Sequence, residues 1–298
     1  MSIRINPNII PDVLAGLNLT RQQLNTADLQ IASGRTINQP SDDPTGTAAL
    51  VLNHVAQAQN DTFQRNISDL QTSLSTADSA LNSAETIINQ AISLGVEAGN
   101  SNLSDNQRAA IASQLQGIQQ QLIGIANTNV GGSYLFAGTE TQTTPFVLNG
   151  GVPAGVTYQG NDTVTSVDLA SNQSVSINVP GDQLFLNPSG SLLGSLNQLI
   201  TAIQTNTNIA GANTALGTAA SEFTTQRLFY GTALNELQST STLLNNQQVT
   251  LATQEQNLSG ADLAKVSTNF SQAQIAYTSL LDAESRILNL PTLLSLLA

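Results

Sequence analysis

From Phe63 onward the apolar residues recur at Phe63, Ile67, Leu70, Leu74, Ala77, Leu81, Ala84, Ile88 and Ala91, with no proline or glycine before Gly95. Steps of four and three alternate, which is the seam of a coiled coil: one apolar stripe stays turned toward a partner helix. Asp43 fits an N-cap, and Pro44 fits the first helical position, where a missing N–H costs nothing. A helix from Pro44 to about Ala98 would run roughly 80 Å at 1.5 Å per residue. No globular core of this size needs such a helix, so the reading is an elongated rod.

The sequence breaks at Gly99-Asn100-Ser101-Asn102. Ser104 and Gln107 then make a capping-box pattern that opens a second helix. Its seam is Ile111, Leu115, Ile118, Leu122 and Ile125, and it stops near Asn129, ahead of Gly131-Gly132. The two helices read as an antiparallel hairpin.

Between Gly131 and Gly190 the texture changes. Nine of the 21 glycines and four of the nine prolines fall there. Short β-branched runs appear at 156–158, 164–167 and 175–179, bounded by turn signals such as Gln159-Gly160-Asn161-Asp162 and Pro180-Gly181. This predicts a small β-rich domain. Helical periodicity returns by Leu192, and a further seam runs through Phe223, Tyr230, Leu234, Leu237, Leu244, Leu251 and Leu258, with Arg227, Ser241, Gln248 and Glu255 at the intervening positions. After Ser259-Gly260 a last helix carries Leu263, Val266, Phe270, Ala273, Tyr277, Leu280, Glu284 and Ile287. A matching seam near the start carries Val13, Leu17, Thr20, Leu24, Ala27 and Ile31.

Neither terminal stripe can bury itself alone, and short isolated helices are marginal in water. The two ends therefore pair with each other, or fold on meeting other subunits. The resulting class is mainly α with a small β domain in the middle: an elongated rod of long coiled-coil-like helices formed by the N- and C-terminal segments. The divisions are 1–43 with 259–298 for the terminal helices, 44–133 with 191–258 for the helical rod, and 134–190 for the β-rich domain.

Composition narrows the function classes. Only 9% of residues are charged, against about 25% in an average soluble protein. Asn, Gln, Ser and Thr fill the gap, so helix surfaces can meet with little charge to desolvate. The formal net charge is −12 with eight basic residues, and no basic stripe marks a nucleic-acid or membrane surface. No cysteine is present, and His54 is the sole histidine. Disulfides, thiolate metal sites, HExxH and three-histidine zinc sites are excluded. No apolar run approaches a membrane span, and no secretory signal is visible from Met1 to Pro11. Composition alone thus reads as cytoplasmic.

Three segments resemble the flagellin family: Ser33-Gly34-Arg35-Thr36-Ile37-Asn38-Gln39-Pro40-Ser41-Asp42-Asp43-Pro44; Ala98 through Arg108; and Ile125-Ala126-Asn127-Thr128-Asn129 followed by Gly132-Ser133-Tyr134-Leu135-Phe136-Ala137-Gly138-Thr139. With the C-terminal helix, the resemblance spans nearly the whole chain. Prolines on both sides of Asp42-Asp43, the Tyr134–Thr139 stretch with Pro145-Phe146, and the tail from Ala273 to Leu297 resemble the family's hook–filament junction members more than its filament flagellins. The resemblance implies a structural part of the bacterial flagellum, secreted without a cleaved signal, which revises the cytoplasmic reading. It implies self-association into a ring, hook-associated protein 1 below, flagellin above, and a cytoplasmic export chaperone on the C-terminal helix. A short filament flagellin is the alternative within the family. A secreted adhesin with a glycan-binding β domain is the alternative outside it.

No catalytic, cofactor-binding or metal-binding residue is expected. Asp42-Asp43 reads as a turn and helix cap favoured by the helix dipole, and His54 as a surface residue. Glu140, Asp162, Asp168 and Asp182 show no spacing that singles out a catalytic pair. No Walker loop, GxGxxG or GxSxG motif occurs. The residues expected to carry assembly are Leu17, Leu24, Ile31, Phe270, Tyr277 and Leu280, on terminal helices running from Asp12 to Ser33 and Asp262 to Leu290.

Overall fold

The structure is a computed structural model that describes residues 9–150, 155–170, 173–187 and 190–288. Among these, the chain order is α1 (Ile9–Ser33), α2 (Pro44–Ala98), α3 (Asp105–Ala126), β1 (Asn129–Val130), β2 (Ser133–Tyr134), β3 (Phe146–Leu148), β4 (Val156–Tyr158), β5 (Ser166–Ala170), β6 (Gln173–Ser176), α4 (Gly181–Phe185), α5 (Leu192–Thr205), α6 (Ile209–Ser259) and α7 (Leu263–Leu288). The fold is mostly helical with a few small strand pairs. The chain divides into two compact units: a terminal unit of Met1–Gln59 with Gln247–Ala298, and a central unit of Asn60–Asn246. The long helices α2 and α6, of 55 and 51 residues, contribute to both.

Local chemistry sets the helix ends. The Asp43 carboxylate accepts from the backbone N–H groups of Thr45 (3.0 Å) and Gly46 (2.9 Å), capping α2. The Ser104–Gln107 capping box is formed at α3, with the Gln107 side chain accepting from the Ser104 N–H at 2.9 Å. Each cap satisfies donors that the first turn leaves without helical partners.

In the central unit the seams are buried. Ile67, Leu74, Ala77, Leu81, Ala84, Ile88 and Ala91 of α2 share one core with Ile111, Leu115, Ile118 and Leu122 of α3. The same core takes in Leu192, Leu196, Leu199 and Ile203 of α5, and Phe223, Tyr230, Leu237 and Leu244 of α6. Burying each of the larger side chains stabilises the fold by about 1.5–3 kcal/mol.

The β-rich segment is not one sheet. Its described residues form three separate antiparallel pairs, β1–β2, β3–β4 and β5–β6. The run expected at 164–167 becomes β5 at Ser166–Ala170, and the run at 175–179 becomes β6 at Gln173–Ser176. Two-stranded pairs are marginal by themselves; here Phe146 and Tyr158 tie β3–β4 to an aromatic cluster, and Leu169 and Val175 bring β5–β6 into the same core. Phe185, on α4, lies 5.7 Å from Phe136, 5.2 Å from Phe146 and 5.5 Å from Phe223 of α6, between ring centroids. The Val179 N–H donates to the buried Tyr230 hydroxyl of α6 at 3.4 Å. The Tyr158 hydroxyl donates to the carbonyls of Phe136 and Asn161, and burial pushes its pKa up to about 12, which keeps it a donor. The segment is thus pinned to α6 by the interior of the same core.

The outer helix faces carry hydroxyls in place of charges. Along α6, Thr214, Thr218, Ser221, Thr224, Thr225, Thr232, Ser239, Thr242 and Thr253 each donate to the carbonyl four residues back. Thr72, Ser73, Thr76, Ser83, Thr86 and Ser93 of α2 do the same.

Candidate functional site

In the terminal unit α1 and α7 pack antiparallel. They are joined at one end by a bridge between Arg35 and Gly260, where the Thr36 N–H donates to the Ser259 carbonyl (2.7 Å) and the Ala261 N–H to the Gly34 carbonyl (2.9 Å). Gly34 sits at φ +69°, a conformation glycine adopts freely. The centre of the pair is small: among the described residues, Thr20, Ala27, Val266 and Ala273 are its buried side chains. The Thr20 hydroxyl donates to the Gly16 carbonyl. A Cβ on Gly16 would stand 3.5 Å from the Leu280 side chain, an ordinary packing distance, so Leu280 lies over Gly16.

The base of this pair is tied to the long helices by Glu255 of α6. Its carboxylate accepts from Arg35 (2.7 Å), His54 (3.2 Å) and Gln57 (3.0 Å). The Gln57 amide first, then His54, hold this carboxyl below the usual carboxylate range. Nearby, Asn53 is buried and donates to the Leu251 carbonyl at 3.1 Å. Asp42 accepts from the Asn38 and Gln39 N–H groups, both at 2.9 Å, and these bonds lower its pKa. Asp42 and Asp43 thus serve a turn and a cap. Among the described residues no group of three or more His, Asp and Glu could hold a metal. No helix there is long and apolar enough to cross a membrane.

The six residues expected to carry assembly all lie on α1 and α7. Leu17, Leu24, Phe270, Tyr277 and Leu280 are half-buried along the pair, while Ile31 is exposed. Sequence reasoning missed a second set. Leu14, Leu19 and Leu29 of α1 and Ile275 and Leu281 of α7 lie off the seam and are exposed. The signal was available: these are large apolar residues outside the heptad stripe. A helix that is apolar beyond one stripe calls for burial on more than one side. The α2 and α6 segments of this unit continue the pattern, with Val51, Leu52, Val55 and Val249 at least half exposed.

Residues 7–141 match the bacterial flagellin N-terminal helical region, and residues 213–297 match the bacterial flagellin C-terminal helical region. The chain belongs to the bacterial flagellin family. Within this family, it is 29% identical over 273 residues to flagellar hook-associated protein 3 of Escherichia coli, covering 83% of the chain and 84% of that protein. It is 28% identical over 290 residues to flagellar hook-associated protein 3 of Salmonella typhimurium, covering 88% of the chain and 90% of that protein. The crystal structure of flagellar hook-associated protein 3 from Legionella pneumophila shares the fold, with a TM-score of 0.63 and 16% identity, over 70% of this chain and 98% of that one. Both flagellin matches cover helical regions. Residues 142–212, between them, hold β3 to β6, α4 and α5.

Proposed function

We propose that this flagellin-family chain is a structural, non-catalytic part of the bacterial flagellum that joins the hook to the filament. The observation that carries this reading is the alignment with two hook-associated proteins 3 over more than four-fifths of their length. The apolar surface of the terminal unit supports it, because side chains such as Leu19 and Ile275 are what a subunit buries against neighbours. In this reading residues 1–43 and 259–298 form the inner assembly region, 44–133 and 191–258 the helical layer around it, and 134–190 the outer segment. The subunits form a ring between hook-associated protein 1 and flagellin, and the protein is secreted to reach that position. Before export a cytoplasmic chaperone covers the amphipathic α7.

Deleting the gene in the source bacterium tests the role. Bare hooks with flagellin spilled into the medium are the expected result. Bare hooks without flagellin in the medium would make this chain the filament subunit instead, and unchanged filaments would remove it from both roles. Leu24→Asp or Tyr277→Asp should abolish incorporation while the central unit stays folded by circular dichroism. Normal filaments from either variant would sink the assembly assignment.

A further inference from the structure

Two helices with a seven-residue repeat can pair in more than one register, because sliding by one repeat returns apolar residues to apolar positions. In the central unit α2 repeats Ile67, Leu74, Leu81 and Ile88, and α6 repeats Phe223, Tyr230, Leu237 and Leu244. Every position in both repeats is apolar, so a shift by seven still sets apolar side chains against apolar ones. Two irregular contacts between the helices distinguish the native register from one shifted by seven, and a third fixes which face of α2 meets α6. Arg227 of α6 lies between two acids one repeat apart on α2, donating to Asp78 at 2.9 Å and to Glu85 at 2.7 Å. Asn213 of α6 lies over Gly95 of α2, where a Cβ would fall 2.2 Å from the buried Asn213 Oδ1. Asn60, buried on the α2 seam, donates to the Leu244 carbonyl at 2.9 Å.

We propose that these contacts act as a register lock for α2 against α6 and contribute specificity more than stability. Slide α6 one repeat toward the C-terminus of α2. Arg227 then loses Asp78 and faces Ile92, and Asn213 passes the last residue of the helix, Ala98. Slide it the other way. Arg227 then loses Glu85, and Asn213 meets Ile88, whose side chain fills the space that only glycine leaves open. Asn60 discriminates differently. A carbonyl one repeat away would serve it equally, so it fixes which face of α2 meets α6. Polar groups placed on an apolar seam are best attested in this registry role. Asp78 and Glu85 keep about a third of their side-chain surface in water, at 34% and 32%. Losing Arg227 therefore leaves hydrated carboxylates and not stranded charges.

The absence of cysteine makes a direct test possible. The Gln64 and Asn245 side-chain ends meet across the pair at 3.3 Å, so a Gln64→Cys/Asn245→Cys pair bridged by a short bismaleimide reports the native register. Gln71→Cys/Asn245→Cys reports one slipped register, and Gln64→Cys/Gln238→Cys the other. Each full-length protein is unfolded in urea, refolded and treated with the bismaleimide, and its cross-links are mapped by mass spectrometry. With Arg227 and Asn213 intact, the slipped pairs should give only traces. With Arg227→Leu and Asn213→Ala added, they should rise at least about tenfold, a ratio worth ~1.4 kcal/mol, while the thermal midpoint holds or rises. Should that combination fail to refold, Arg227→Gln alone is assayed in the same way, with helix content read by circular dichroism. If both backgrounds cross-link only at 64 and 245, the register is set by α3, α5 and the aromatic segment, and the lock does not exist.

Discussion

The central and terminal units draw on the same two long helices and the same kind of seam, yet they treat apolar surface in opposite ways. Of the 43 apolar side chains buried among the described residues, 38 lie in the central unit. Of the 17 large apolar side chains left exposed, 12 lie in the terminal unit. A heptad stripe specifies a helix and a direction of burial; it does not supply the cover. In the central unit α3, α5 and the aromatic cluster around Phe185 close over the stripe. In the terminal unit α1 with α7, and the adjoining ends of α2 with α6, are helix pairs with small centres. The first unit covers its own stripe, and the second leaves apolar side chains exposed, which is what the proposed role in assembly requires.

The largest effect should come from cutting into the closed core. Phe185→Ala removes a ring packed on three others and should cost about 3–5 kcal/mol in urea unfolding of the full chain. Leu24→Ala, half-buried in the terminal unit, should cost about 1 kcal/mol or less, because the native state covers only part of its surface. Equal losses would erase the contrast between the units. Glycines sharpen it next. Gly95→Ala places a methyl against Asn213 and should cost about 1–3 kcal/mol as overpacking. In the same central unit, Gly217→Ala and Gly231→Ala should each gain about 0.5–1 kcal/mol, since a Cβ there meets nothing within 4 Å. Thermal melts of the three variants read the opposite signs.

The smallest effect is electrostatic and belongs to the terminal unit. Glu255 is more acidic in the folded protein than in the unfolded chain, so the folded state binds fewer protons. Its stabilisation is therefore present above the ordinary glutamate value of about 4.3 and fades as the pH falls through the lowered one. Glu255→Gln should flatten that acid limb. Hydrogen exchange at the Thr36 and Ala261 amides, followed from neutral to acid pH and corrected for intrinsic rates, reads it locally. An unchanged limb would mean that the Arg35, His54 and Gln57 contacts contribute nothing to the base of the pair.

Much of this was legible in the sequence, for reasons that differ by element. The caps at Asp43 and Ser104–Gln107 were readable because their partners lie within three residues. The α2, α3 and α6 seams were readable because periodicity is a property of the helix itself. The expected small β domain is present among the described residues as three separate pairs, whose strands of two to five residues are too short to show a period and rest on contacts with the rest of the core. The helix α4, which carries Phe185, left no signal: Gly181–Phe185 is too short for a period. The break between α5 and α6 was also hidden, because Asn206 and Asn208 take positive φ there (52° and 45°) without a glycine or proline to announce it. The six proposed assembly positions came from the seam, which is why the apolar residues beside it, such as Leu19 and Ile275, were overlooked.

The hydroxyl rows on α2 and α6 have one further consequence. A threonine that gives its proton to its own helix keeps only lone pairs for the outside. Such a face presents acceptors, and with only eight basic residues in the chain most of the side-chain donors able to meet it are neutral, such as asparagine and glutamine amides. Bonds of this kind carry no net charge for dissolved ions to screen. Contacts made through these faces should keep their strength from dilute buffer to concentrated brine, where joints built from ion pairs would loosen.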